Sequence, residues 1–398
     1  MTVERCPGCG SPDTTMFMRL DHVPVHCNVL WPTPEAARDA PRGDIRLRFC
    51  RTCGLVYNDV FDPTLTQYQA TYENSLHFSP RFQEYARWLA AHLTERYDLA
   101  GGSVVEIGCG KGEFLELLCD TSGASGVGFD TTYEADERAG SRIRVIRDFY
   151  SEAYSHEAAD LICCRQTLEH IADPRDFLAG VRRTIGDRTD VGIFFEVPNA
   201  LVTLRDLWIW DIIYEHCSYF TLTSLRRLFE QCEFVVEDVA PTFGDQFLTL
   251  EARPATSHMP ARGHPEVEIQ GMEGYVRSFG EIYRSTIESW EHRLSEWKDR
   301  GDRIALWGAG SKGVTFLNTV RGADKVASVV DVNPRKHGKR VPGTAQEVVP
   351  PSSLRSQAPD AVLVMNPIYE SEIRTTLHEQ GLDPDVVPVR SPGVKAGG

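Results

Sequence analysis

Two Cys-x-x-Cys pairs stand near the start of the chain. Cys6-Pro7-Gly8-Cys9 and Cys50-Arg51-Thr52-Cys53 are each followed by a glycine, Gly10 and Gly54. Two residues between thiolates let both sulfurs reach one ion, and the glycine permits the tight turn. Two such knuckles complete a closed tetrahedral site of the kind zinc prefers. Cys6, Cys9, Cys50 and Cys53 are therefore the expected ligands of a structural zinc ion, with His22, His26 and Cys27 of the intervening loop available to replace one of them. A different chemistry is written in Val104-Val105-Glu106-Ile107-Gly108-Cys109-Gly110-Lys111-Gly112, an apolar strand pattern that runs into a glycine loop and then a helix pattern. Gly108 and Gly110 let the backbone pass close to a ligand, and Gly112 lets the helix sit on the sheet. The next strand pattern ends in Asp130, whose carboxylate suits the two hydroxyls of an adenosine ribose. A second loop, Gly308-Ala309-Gly310-Ser311-Lys312-Gly313, with Asp331 ending the next strand pattern, is formally a dinucleotide fingerprint and keeps an NAD-dependent enzyme in view. Two further clusters carry acid–base groups: Tyr72-Glu73-Asn74-Ser75-Leu76-His77-Phe78-Ser79 and Tyr214-Glu215-His216-Cys217-Ser218-Tyr219-Phe220. Histidine is suited to proton transfer near neutral pH.

The elements that must position these groups fall into four segments. The first, to about residue 62, is rich in Cys, Pro and turn residues with little helical periodicity. From Arg81 onward the spacing predicts a helix with Phe82, Tyr85, Trp88, Leu89 and Leu93 on one face. Short apolar runs then alternate with helical stretches, with strands expected at 103–107, 126–130, 160–164, 191–197, 234–239 and 246–251. That alternation is the signature of βαβ units and a mostly parallel sheet. A linker is expected over 253–265, a long amphipathic helix over 267–300, and a second βαβ series with strands at 303–307, 326–331, 361–365 and 386–388. The fold expected is α/β: a zinc-binding module over 1–62, a doubly wound central domain with a helical lead-in over 63–255, and a linker helix with a second Rossmann-like domain over 266–398.

The run Glu106-x-Gly108-x-Gly110-x-Gly112 resembles the first motif of class I S-adenosylmethionine (SAM) methyltransferases. The likeness extends to Asp160-Leu161-Ile162-Cys163-Cys164-Arg165-Gln166-Thr167-Leu168-Glu169-His170, the usual fourth strand and its following Leu-Glu-His. The resemblance implies that Glu106, Gly108, Cys109, Gly110, Gly112 and Asp130 hold SAM. It also implies that Gln166 sits near the methionine or adenosine portion, and that Asp148 and Phe149 lie beside the adenine. With the paired knuckles, Glu215-His216 and Gly308-Ala309-Gly310 added, the chain resembles the zinc-containing sugar C-methyltransferases of deoxysugar biosynthesis over essentially its full length. By that resemblance His216 is the base, with Tyr72, His170 and Glu215 as its catalytic companions. Tyr214, His77, Asn74, Gly310, Lys312 and Asn366 would contact substrate, whose diphosphate would use the helix start near Ser311 and Lys312.

Composition limits the rest. Eleven cysteines without an apolar leader at Met1–Cys6 favour free thiols and metal ligands over disulfides, and a cytoplasmic location is expected. A net charge of −15 disfavours nucleic acid or an anionic membrane surface as partner. No apolar run approaches membrane-spanning length. The expected activity is methyl transfer from SAM to a small polar metabolite, a nucleotide-activated ketosugar methylated on carbon. O-methylation, an NAD-dependent reaction and a non-catalytic SAM-binding regulator are the alternatives.

Overall fold

The computed structural model describes residues 5–66, 72–134, 142–256 and 266–391. Of the linker expected over 253–265, residues 257–265 lie outside them, and Arg253 and Pro254 belong instead to the last strand of the central sheet.

The turn-rich first segment is more regular than its composition suggests. Thr14–Pro24, Arg42–Cys50 and Val56–Asn58 form an antiparallel sheet, and its fourth strand is Ser218–Tyr219 from far along the chain. The knuckles sit in turns around this sheet, where Gly10 (φ 74°) and Gly54 (φ 81°) adopt the left-handed backbone that a side chain would strain. Sequence periodicity missed the sheet because a strand interrupted by bulges, here between Met16 and Met18 and between Leu20 and Val23, loses its two-residue alternation.

The lead-in helix is Pro80–Arg96. Ser79 accepts from the Phe82 amide and Pro80 occupies the first turn, two signals that start a helix. Phe82, Tyr85, Leu89 and Leu93 are buried as expected. Trp88 is not: it is 51% exposed and stacks on Tyr85 and His92 at the surface. Its position is one residue from Leu89, which takes the place facing the sheet.

The central sheet has seven strands in the order Phe234–Thr242, Phe247–Pro254, Gly192–Pro198, Leu161–Arg165, Ser103–Ile107, Ser125–Phe129, Ile143–Ile146. Phe247–Pro254 runs antiparallel to both its neighbours, and the other pairs are parallel. The switch in strand order between Ser103–Ile107 and Leu161–Arg165 opens the crevice where such sheets bind ligands. The second α/β unit is an all-parallel sheet of five, with Ile304–Trp307 at its centre. Ile143–Ile146 and Val348–Val349 complete the two sheets beyond the strands expected.

The helix Glu266–Arg300 is the strut between these parts. Ile269, Met272, Val276, Phe279, Tyr283, Trp290, Leu294 and Trp297 are buried and recur at three- and four-residue steps, with one step of seven in which Thr286 is the buried intermediate. They share one apolar core with Phe49 of the first sheet, Trp210 of the central unit and Phe316 of the last.

Candidate active site and metal centre

The four knuckle sulfurs converge. Cys6 Sγ lies 3.6 Å from Cys53 Sγ, and Cys9 Sγ lies 3.6 Å from Cys50 Sγ. All four lie within 4.8 Å of one another, a donor set and spacing that fit a tetrahedral zinc ion. His22, His26 and Cys27 are not in this group. His26 Nδ1 is 3.4 Å from Glu215 Oε1, and the Cys27 amide donates to Glu215 Oε2 at 2.8 Å.

The first glycine loop has the form expected of a nucleotide cradle. Gly108, Gly110 and Gly112 all have positive φ, and a Cβ placed on Gly110 would meet nothing within 4 Å. Asp130 caps the loop, with Oδ2 accepting from the Gly110 amide at 2.8 Å and Oδ1 from Thr132. Asp148 accepts from Tyr154 and from the Phe149 amide, and the Phe149 side chain is 75% exposed. Glu106 is buried in the strand beneath. Desolvation pushes its carboxyl up to about 8, against the pull of the Arg165 guanidinium. Gln166 follows the fourth strand in a left-handed conformation (φ 49°), costly for a side-chain-bearing residue and typical of functional turns. Its amide nitrogen donates to Glu196 at 3.2 Å, and Arg165 and Tyr85 hold the same carboxylate.

A cleft of about 280 Å³ is walled by all three parts of the molecule. Asn28 comes from the first sheet's module. Tyr72 and Asn74 come from the lead-in, Gln166, His170 and His216 from the central unit, and Gly310, Lys312 and Asn366 from the last. Of the substrate-side residues read from the sequence, Tyr72, Asn74, His170, His216, Gly310, Lys312 and Asn366 are the ones the fold brings together. The Tyr72 hydroxyl accepts from Asn28 at 3.3 Å, and the Tyr72 backbone pairs with Val29. His170 donates from Nδ1 to the Glu215 carbonyl at 3.0 Å, which directs Nε2 as the acceptor. The His170 and His216 rings meet edge to face, 4.9 Å apart. Burial lowers both imidazoles below their ordinary range, and for His216 nearby His170 and Lys312 push further the same way. Both rings are therefore neutral at pH 7 and able to accept a proton.

Three expected residues point elsewhere. Tyr214 is buried against Phe61 and the bare face of Gly43, with its hydroxyl bonded to the Asp62 backbone. The slot left by a residue without a side chain draws the ring out of the cleft. Glu215 is 0% exposed and spends its carboxylate on the Cys27 amide and His26, so it holds the loop behind the histidines rather than facing substrate. His77 packs edge-on against Phe82, away from the cleft lining.

The sequence reading passed over several lining residues. Glu169, Asn333 and Lys336 are polar examples, and Phe243 and Phe247 form an apolar wall. Glu73 was quoted but given no role. It is buried and ion-pairs with Lys111 of the first glycine loop, accepts from Asn333 at 3.0 Å, and lies 3.6 Å from Arg335. Arg335 also pairs with Glu113 at 3.2 Å, so this clasp ties the SAM-type loop to the last unit across the cleft rim.

Comparison with known proteins now decides the class. Residues 78–239 match the family described as methyltransferase domain, and residues 261–382 match the C-methyltransferase C-terminal domain. The chain is 27% identical over 403 residues to the C-methyltransferase NovU of Streptomyces niveus, covering 93% of this chain and 91% of that protein. The chain is a SAM-dependent methyltransferase. Solved structures similar to parts of the methyltransferase include the 1,6-didemethyltoxoflavin-N1-methyltransferase of Burkholderia thailandensis, 19% identical, covering 44% of this chain and 80% of that one, TM-score 0.34. Another is the 8-amino-8-demethyl-D-riboflavin dimethyltransferase of Streptomyces davawensis, 18% identical, 44% and 56% covered, TM-score 0.32. Among the described residues, no helix of the methyltransferase is long and apolar enough to cross a membrane.

Proposed function

We propose that the enzyme methylates a carbon atom of a nucleotide-activated ketosugar. The observation that carries this reading is the pair of part-buried imidazoles, His216 and His170, whose rings meet edge to face in a cleft walled by all three parts of the molecule. A keto group makes the hydrogen on the neighbouring carbon acidic, and His216 removes it as base. His170 and Tyr72 hold the sugar's oxygens, and Asn74, Lys312 and Asn366 contact the rest of the substrate. SAM, bound along Gly108–Gly112 with Asp130 on its ribose and Gln166, Asp148 and Phe149 around it, supplies the electrophilic methyl group. Zinc at Cys6, Cys9, Cys50 and Cys53 is structural. The similarity to NovU supports carbon as the acceptor. The working division remains 1–62, 63–255 and 266–398, with the last unit closing the substrate side.

A panel of nucleotide ketosugars, incubated with SAM and followed by mass, tests the substrate class. Gain of one methyl on a ketosugar and none on its reduced alcohol counterpart supports it. Equal methylation of the alcohol would shift the reading to O-methylation.

A further inference from the structure

Glu169 is a cleft-lining residue that neither the sequence motif nor the reading above employs. It sits in the single turn Leu168–His170 that follows the fourth strand, and it is 1% exposed although its residue forms part of the cleft wall. One of its carboxyl oxygens lies within 4.8 Å of ring nitrogens of both His170 and His216, and Oε2 has no hydrogen-bond partner among the described residues. An unpartnered polar atom buried this deeply costs about 1–3 kcal/mol, so its persistence at a ligand cleft points to a partner that arrives with the ligand. The backbone reinforces the placement. Its carbonyl accepts from the Cys217 amide at 2.9 Å, which locks the turn to the segment carrying His216.

We propose that Glu169 is a catalytic residue, held as the neutral carboxylic acid, that donates a hydrogen bond to the substrate's keto oxygen while His216 takes the proton from the adjacent carbon. This rests on the ketosugar reading. The electron balance is simple. The C–H bond breaks, its proton goes to His216 and its electron pair forms the C=C bond, while the carbonyl π pair moves onto the oxygen facing Glu169. When the carbon gives its pair to the methyl of SAM, the methyl–sulfur bond breaks with its pair going to sulfur, S-adenosylhomocysteine leaves, the C=O bond reforms and the Glu169 proton stays where it began. His216 then passes its proton to solvent.

Surrounding groups favour the acid form. Burial pushes the Glu169 carboxyl up to about 8, against a hydrogen bond from its own backbone amide that lowers it, and the Glu196 carboxylate on the next strand adds to the rise. His170 and His216 face it as neutral rings, Cys164 and Cys217 as thiols, and the Glu215 carboxylate lies behind the histidines. Lys312, the cation facing His216, is paired with Asp211 at 2.6 Å. A buried acid kept neutral to stabilise a developing enolate is an arrangement enzymes use elsewhere.

Substrate-free protein supplies the first test. Infrared difference spectra between wild type and Glu169→Gln at pH 7 should contain a protonated-carboxyl C=O band that disappears on titration through about pH 8. A carboxylate band at pH 7 overturns the proposal whatever the substrate is. A second zinc ion per chain that is lost in Glu169→Gln would overturn it too, because the cluster would then be a metal site. Turnover supplies the second test. The wild-type rate should fall as pH rises through about 8, and Glu169→Gln, whose amide still donates, should lose that alkaline limb while keeping activity within about tenfold. Glu169→Ala should lose roughly 100-fold, the worth of one donor to a developing oxyanion. An unchanged alkaline limb in Glu169→Gln overturns the proposal even if the alanine variant fails to fold. Failure of every ketosugar with wild type sinks the substrate reading instead, leaving the infrared result to decide the state of Glu169.

Discussion

The molecule contains two glycine loops of nearly the same design, and they differ in the space left in front of them. Each follows a central parallel strand, and each is capped by the aspartate that ends the neighbouring strand. Asp130 accepts from the Gly110 amide at 2.8 Å, and Asp331 accepts from the Ala309 amide at 2.9 Å. At the first loop all three glycines have positive φ, and the space in front of Gly110 is open. At the second, Gly310 has φ −109°, and its missing Cβ would lie 3.9 Å from both Lys336 Nζ and Asn28 Oδ1. Lys336 is itself buried and bonds to the Ala309 carbonyl and to Asp331, each at 3.2 Å. The other Asp331 oxygen is taken by the Asn333 amide. An ammonium group thus stands over the second loop and is bonded to its capping aspartate. A glycine motif states what the backbone permits; the side chains packed against it decide whether a nucleotide has room.

This contrast can be broken at several points. The largest effect is expected in the cleft that the second loop lines. His216→Asn should reduce turnover by roughly 100-fold or more while SAM affinity measured by calorimetry is retained. A variant with near-normal turnover would remove the imidazole from the chemistry. Because burial lowers His216, the acid limb of the wild-type rate should lie below the ordinary imidazole range, since the ring stays neutral until the pH is well under it. The same shift means the unfolded chain binds this proton more readily, so His216 takes stability away as pH falls below the unfolded value.

Next in size is the cofactor comparison itself. Asp130→Ala should weaken SAM binding more than about tenfold, as a lost charge-assisted hydrogen bond would. Asp331→Ala should leave SAM affinity unchanged. Tight NAD binding to wild type, abolished by Asp331→Ala, would reverse the assignment of the two loops. Lys336→Met should cost about 1–3 kcal/mol in denaturant unfolding, because it leaves the buried Asp331 without its cation. If its stability matched wild type, the ammonium would not be an integral part of that loop. The smallest effect is expected at Gly110→Ala, where a side chain at φ 54° costs about 1 kcal/mol and SAM affinity should fall only a few-fold. A far larger loss would mean the apparently open space is where the cofactor backbone lies in contact.

The two loops also mark how far sequence can be read. Both were legible because strand, glycines and acid lie within about two dozen residues, and so were the knuckles, whose pairs are local. The long strut helix was legible from its periodicity. What could not be read depends on distant packing. Nothing near Ser218 signals that it completes a sheet begun at Thr14, or that Gly43 makes room for Tyr214. Glu215 and His216 are adjacent, yet one turns to Cys27 and the other to the cleft. Glu169 stood in the quoted Leu-Glu-His run, but only burial beside two imidazoles distinguishes it from a surface acid.

The central claim is that methyl passes from SAM to a carbon whose proton His216 removes. The direct measurement uses a nucleotide ketosugar in deuterated solvent, with S-adenosylhomocysteine in place of SAM, and proton NMR of the carbon beside the keto group. Wild type should exchange that proton and His216→Asn should not. Exchange that persists in the variant, or none in wild type that is methylating the same sugar, would contradict the account.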